Sequence, residues 1–137
     1  MNTELLLRIA GVALVGLVGV NIYVPHYFKW RAELADVSVF TRQVFFVHMF
    51  FIVLIIALQA ALCLFLPHTL TERSTLAQAV LGGFTLFWAA RLYGQFFVYD
   101  PVVWRGNRLH TLMHILFGLL WCFLSGVFAW ALYRQFA

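Results

Sequence analysis

The sequence predicts an all-α membrane protein: a four-transmembrane-helix bundle with a short interfacial segment between the first two helices. Three observations carry this. Of 137 residues, 64% are hydrophobic and only 10% charged, with a mean hydropathy of +0.93. A soluble domain carries about a quarter charged residues, so these side chains cannot cover a water-facing surface. The apolar residues also fall into four runs of spanning length, since about 20 residues cross a hydrocarbon core of about 30 Å. The connections between the runs are short, which leaves a single domain over residues 1–137 and no room for a soluble catalytic portion.

The first span is expected over about residues 4–24, with Glu4 and Arg8 able to pair one turn apart and Gly11, Gly16 and Gly19 allowing close helix contact. It lacks a basic leading region and a small-x-small cleavage pattern before Pro25, so it reads as a retained span rather than a signal peptide. Pro25 is expected to stop this helix. Residues 25–39 then mix His26, Lys29, Arg31, Glu33 and Asp36 with Tyr27, Phe28 and Trp30. Rings at headgroup level and charges in water suit an interfacial segment. The second span, about residues 40–66, is closed by Pro67, and a polar link from His68 to Ser74 leads to the third, about residues 75–99. Asp100-Pro101 ends that span, and Trp104, Arg105, Gly106 and Asn107 make a compact basic turn. The fourth span covers about residues 109–133.

The net charge of +4 comes from scattered residues with no Lys/Arg run, which argues against nucleic acid as a partner. The charge is better read as a topology signal. With four spans both termini share one side with Arg8, Arg73 and Arg134, whereas Lys29, Arg31, Arg42, Arg105 and Arg108 lie on the other. Short positive loops stay in the cytoplasm. The expectation is therefore a protein integral to a membrane of the bacterial inner-membrane type with both termini outside the cytoplasm. Its partners are the lipid bilayer and, by way of the small-residue helix faces, another copy or a larger membrane complex. Cys63 and Cys122 are far apart and lack a CxxC spacing, so both read as small buried apolar residues.

Ionisable and amide side chains are costly in hydrocarbon, so those inside the spans are the informative ones: His48, Gln59, Arg91, Gln95, His110 and His114. His48 and Arg91 each lie about eight residues from one end of their spans and His114 about five, which puts them near one depth and toward one membrane face. Helical phase groups His48, Ile52, Ile55 and Gln59 on one stripe, Trp88, Arg91 and Gln95 on a second, and His110, His114, Trp121 and Ser125 on a third. Asn21 of the first span lies near the same end.

Imidazole, guanidinium and amide groups allow three uses. His48, His110 and His114 supply a three-nitrogen metal set with an open position. Alternatively, His48 and His114 ligate a haem iron from opposite sides, with Arg91 or Arg108 pairing a propionate. In the third use, Arg91, Gln95 and a charged histidine hold a carboxylate or phosphate headgroup. The structural reading of the same residues is interhelical hydrogen bonding for His48, Gln59 and Gln95, with His110 and Arg91 reaching the interface. No phosphate-binding glycine loop and no HExxH is present, and the spans lack the acidic residues of a proton-coupled transporter or di-iron bundle.

The layout, and Arg42 with His48 early in the second span and Arg91 with Tyr93 late in the third, resembles the membrane-associated eicosanoid and glutathione metabolism family. That resemblance implies an arginine-lined site for an anionic substrate. The family's Asn-x-x-Glu pattern is replaced here by VFFVHMFFIVL. From the residues themselves, the first expectation is a metal ion or haem bound through His48, His110 and His114, with Arg91, Gln95 and Arg108 around the cofactor, for electron transfer or membrane-embedded oxidation. A glutathione- or lipid-modifying enzyme and a small accessory subunit are the alternatives.

Overall fold

The computed structural model describes residues 2–98 and 106–137. Its elements are all helical: α1 (Thr3–Tyr27), α2 (Trp30–Glu33), α3 (Val39–Phe65), α4 (Pro67–Thr71), α5 (Thr75–Phe97) and α6 (Arg108–Phe136). The expected turn at Asp100-Pro101, with Trp104 and Arg105, lies outside the described residues. Three helices, α1, α3 and α6, are long and apolar enough to cross a membrane. The third expected span forms as α5, but Gln78, Arg91, Gln95 and three glycines keep its hydropathy below that of the others. Three helices of this kind among the described residues are compatible with an integral membrane protein.

Local chemistry explains most boundaries. Ser38 caps α3 by accepting the Thr41 N–H at 3.2 Å, and Ser74 caps α5 by accepting from Ala77 at 3.0 Å. Asn107 accepts from both Leu109 and His110 at the start of α6. Each satisfies donors that no earlier turn can reach. Pro25 does not stop α1, contrary to the sequence reading. It sits in the last turn, where it removes a single donor, and the bond from Phe28 N–H to the Val24 carbonyl at 3.0 Å still closes that turn. Lys29 then takes the left-handed conformation at φ 53° and turns the chain into α2. Pro67 does end α3, because the residue before a proline avoids helical geometry. The same proline starts α4, where a missing N–H costs nothing, so the expected polar link is partly helical.

The chain divides into two compact units, one of residues 11–66 and one of residues 1–10 with 67–137. In the first, Leu14 and Leu17 of α1 and Ile56, Ala60 and Cys63 of α3 are buried. A Cβ on Gly11 would lie 2.7 Å from Leu64 Cγ and 3.1 Å from Cys63 Cβ, so α1 and α3 approach closely there only because the side chain is absent. In the second unit α5 and α6 form an antiparallel hairpin whose core includes Leu81, Trp88, Trp121, Leu124 and Phe128. Gly118 plays the role of Gly11 here, since a Cβ would sit 2.8 Å from Phe96 Cζ. Cys63 is buried as expected, whereas Cys122 is exposed on the outer side of α6.

Two polar contacts that the sequence did not suggest close one end of this second unit. Gln135 is buried; its Nε2 donates to the Leu70 and Glu72 carbonyls at 2.9 Å each, and its Oε1 accepts the Ser74 N–H at 3.2 Å. One side-chain amide thereby satisfies the end of α4 and the start of α5 from the last turn of α6. Glu4 turns to His68 rather than to Arg8: its carboxylate meets His68 Nδ1 at 3.0 Å, and Glu72 stands 3.6 Å from His68 Nε2.

Gln135→Ala is expected to destabilise the hairpin by roughly 2–3 kcal/mol, about 1 kcal/mol for each orphaned backbone group, as read by unfolding in mixed micelles. A substitution that leaves stability unchanged would mean that water replaces the amide. The hydrogen bond to Glu4, and after it the charges of Glu72 and Glu4, hold the His68 pKa above its ordinary 6.5. The contact is therefore fully present below that value and is lost as pH rises through the raised one. In an NMR titration His68 is expected to titrate above 6.5, and Glu4→Gln should lower its midpoint more than Glu72→Gln does.

Candidate intramembrane polar site

The polar side chains of α5 and α6 meet in a connected cluster, and it can be built from the one group with no choice of role. An indole N–H only donates. Trp121 Nε1 lies 3.2 Å from Gln95 Oε1, so the amide of Gln95 is oriented with its oxygen toward the indole. Its nitrogen then faces α6 at a different turn and lies 2.8 Å from His114 Nδ1 and 3.4 Å from the His114 carbonyl. An amide N–H donates, so His114 Nδ1 accepts, and the neutral ring carries its proton on Nε2. Gln95, 5% exposed, spends both ends of its amide on α6.

Aromatic rings surround this chain of bonds. Trp121 stacks on Trp88 with centroids 5.3 Å apart and on Phe117 at 5.7 Å, and the Arg91 guanidinium lies over the Trp121 ring at 4.9 Å. Phe96 meets the His114 ring edge-on at 5.6 Å. Stacked and edge-on rings hold the indole plane, and a guanidinium over an indole face adds cation–π attraction in a site shielded from water. Arg91 and Gln95 therefore lie where the helical phase of α5 put them, on the face toward Trp121 and His114.

The remaining predicted residues are placed differently. His48 belongs to the unit of residues 11–66 and is exposed on α3. Its Nδ1 is 2.7 Å from the Val44 carbonyl, and since a carbonyl only accepts, Nδ1 carries the proton and Nε2 presents a lone pair. His110 is half-buried in the first turn of α6. Arg108 is exposed beside it and lines a cavity of about 490 Å³ with Asn107, Thr111 and Ile115. Gln59 is buried on α3, while Asn21 turns back to donate to the Leu17 carbonyl of its own helix at 2.8 Å. Among the described residues no group of three or more His, Cys, Asp or Glu side chains stands close enough to share a metal ion.

The tautomers distinguish the two histidines chemically. A metal takes a ring nitrogen that carries a lone pair, usually while the other nitrogen donates to a carbonyl or carboxylate. His48 has that arrangement and His114 has the reverse one. Sequence reasoning found both residues but not this difference, because the tautomer of His114 is set by Trp121 through an amide on another helix.

Gln95→Ala is expected to destabilise the α5–α6 hairpin by about 1–3 kcal/mol, the span between measured intramembrane hydrogen bonds and the cost of orphaned buried donors. Nitrogen NMR should show His114 with its proton on Nε2 in the parent chain. In Trp121→Phe the amide is released and the proton should redistribute; an unchanged tautomer would mean that Gln95 does not set it. Comparison of the chain with protein-family models, with curated proteins and with solved structures gives no match.

Proposed function

We propose that the chain is a small integral membrane accessory protein whose polar intramembrane residues hold its own helices and whose outer helix faces meet lipid and the helices of a larger complex. The observation that carries this is Gln95: the most buried polar group of the predicted site spends its hydrogen bonds on Trp121 and His114 of the neighbouring helix. A group used in this way is interhelical glue. The exposed side chains of α1, α3 and α6 are in keeping with it, since Val12, Phe50, Leu58 and Leu119 are each more than half exposed. In this reading α5 is a fourth span. Its 23 residues suffice in length, and its polar side chains Arg91 and Gln95 turn to Trp121 and His114 of α6. Four spans with Lys29, Arg31, Arg42 and Arg108 on the cytoplasmic side then put both termini outside, in a membrane of the bacterial inner-membrane type.

A second reading rests on His48. Its exposed Nε2 lone pair, fixed by the Nδ1–H bond to Val44, suits a ligand to a haem iron or metal ion. His110 and His114 would complete the set in the predicted metal site, and His114 would first have to exchange its bond with Gln95. Anion binding through Arg91, Gln95 and a charged histidine is the third use of the same residues; its support is weaker, because Arg91 lies over Trp121 and Gln95 is bonded to α6.

An absorption spectrum with elemental analysis of detergent-purified protein separates these readings. The accessory reading expects no Soret band and no stoichiometric metal, with His114→Ala less stable than the parent and His48→Ala equally stable. A Soret band or one metal per chain that disappears in His48→Ala and survives in Gln95→Ala would establish the second reading instead.

A further inference from the structure

We propose that the cavity between α2 and the first turns of α3 is a site for one anionic phospholipid, its phosphate between Arg31 and Arg42 and its acyl chain along Phe46 and Val47. The cavity is about 700 Å³ and is lined by Arg31, Arg42, Gln43, Phe46 and Val47. The lining has a charged end and an apolar end, the same division as in a phospholipid. All five residues lie within the unit of residues 11–66, and Trp30 packs edge-on against Phe45 at 5.3 Å, which ties α2 to α3 beside the cavity.

Charge complementarity selects an anion. Arg42 stands in the first turn of α3, where the aligned peptide dipoles are positive and a cation is unfavourable. That turn holds no acidic residue, and neither Arg31 nor Arg42 forms an ion pair among the described residues, although Glu33 and Asp36 lie on the same stretch of chain. Two guanidiniums and a helix start thus face one cavity; a phosphate matches guanidinium donors, and a headgroup with no cation of its own leaves that positive charge balanced, whereas a zwitterionic headgroup brings a further cation to it. Depth selects a lipid rather than a free anion. α3 is one of the membrane-spanning helices, so its first turn lies at headgroup level while Phe46 and Val47 lie a turn deeper. The inference rests on the membrane reading of the chain and does not depend on the role of the histidines.

The test uses the full chain in nanodiscs of phosphatidylcholine containing a minority of phosphatidylglycerol, with retained lipid counted by native mass spectrometry. One retained phosphatidylglycerol per chain is expected. Arg31→Gln/Arg42→Gln should weaken retention on the order of thirtyfold, from about fivefold for each arginine near a membrane surface. Arg134→Gln, which removes a charge beside Trp130 on α6, should retain the lipid, and inorganic phosphate should not displace it. Equal retention of phosphatidylcholine, unchanged retention in the double variant, or displacement by inorganic phosphate would each overturn the proposal. Helix content by circular dichroism, with rescue by Arg31→Lys/Arg42→Lys, separates loss of the site from loss of the fold. Protein that fails to float with vesicles of either composition would overturn the membrane reading as well; protein that floats but does not discriminate overturns this proposal alone.

Discussion

The polar organisation of the α5–α6 hairpin depends on the indole of Trp121 having a single role. Away from water each polar group must find its partner within the protein, and most side chains meet that demand by rotating or by switching between donor and acceptor. Trp121 can do neither: its N–H only donates, and rings of Trp88 and Phe117 lie against its plane. Gln95 must therefore offer oxygen to α6 at one turn and nitrogen at another, which fixes the proton position on His114. A direction set by one indole passes through two further residues. The bond chain accordingly specifies which helix faces meet, and at what register, more than it adds to the total stability.

A second amide closes the other end of the same hairpin. Gln135 joins the last turn of α6 to the end of α4 and the start of α5, and Gln95 joins the far part of α5 to the first half of α6. Between them lie roughly 30 Å of antiparallel helix packed by Leu81, Trp88, Leu124 and Phe128. Apolar packing alone permits sliding along the axis, because lipid tails are as apolar as the side chains they would replace. Two buried amides at opposite ends remove that freedom, since a shift by one turn would orphan both.

Hydropathy made the helices readable in advance. Ser38, Ser74 and Asn107 stand where the sequence places the span starts, and their side chains accept the first N–H groups as such residues do. Helical phase also joined Arg91 and Gln95 with the face that meets Trp121 and His114, because that inference needs only a period of 3.6 residues. The contacts that escaped reading are those between distant parts of the chain: Gln135 with the α4–α5 link, and Glu4 with His68 in place of Arg8. A glutamine in a last turn carries no mark of what it will cap, and a carboxylate with two basic neighbours gives no sign of which it will meet. Pro25 was misread for a different reason, since a proline stops a helix only where following turns need its missing donor, and here one turn remains.

The contrast between His48 and His114 shows why a histidine count is a poor guide to metal chemistry in a membrane. Both rings lie in apolar helices, and by residue type they are equivalent. His48 bonds the carbonyl of its own helix, which can only accept, so its outer nitrogen is left as an acceptor. His114 bonds an amide nitrogen held by Trp121, which can only donate, so its other nitrogen is a donor. What such a ring offers to a third group is the same as what its first partner offers to it, an acceptor behind an acceptor and a donor behind a donor. A ligand-set argument in a helix bundle therefore has to start from those first partners, and in this protein they divide two residues that spacing alone would have placed in the same role.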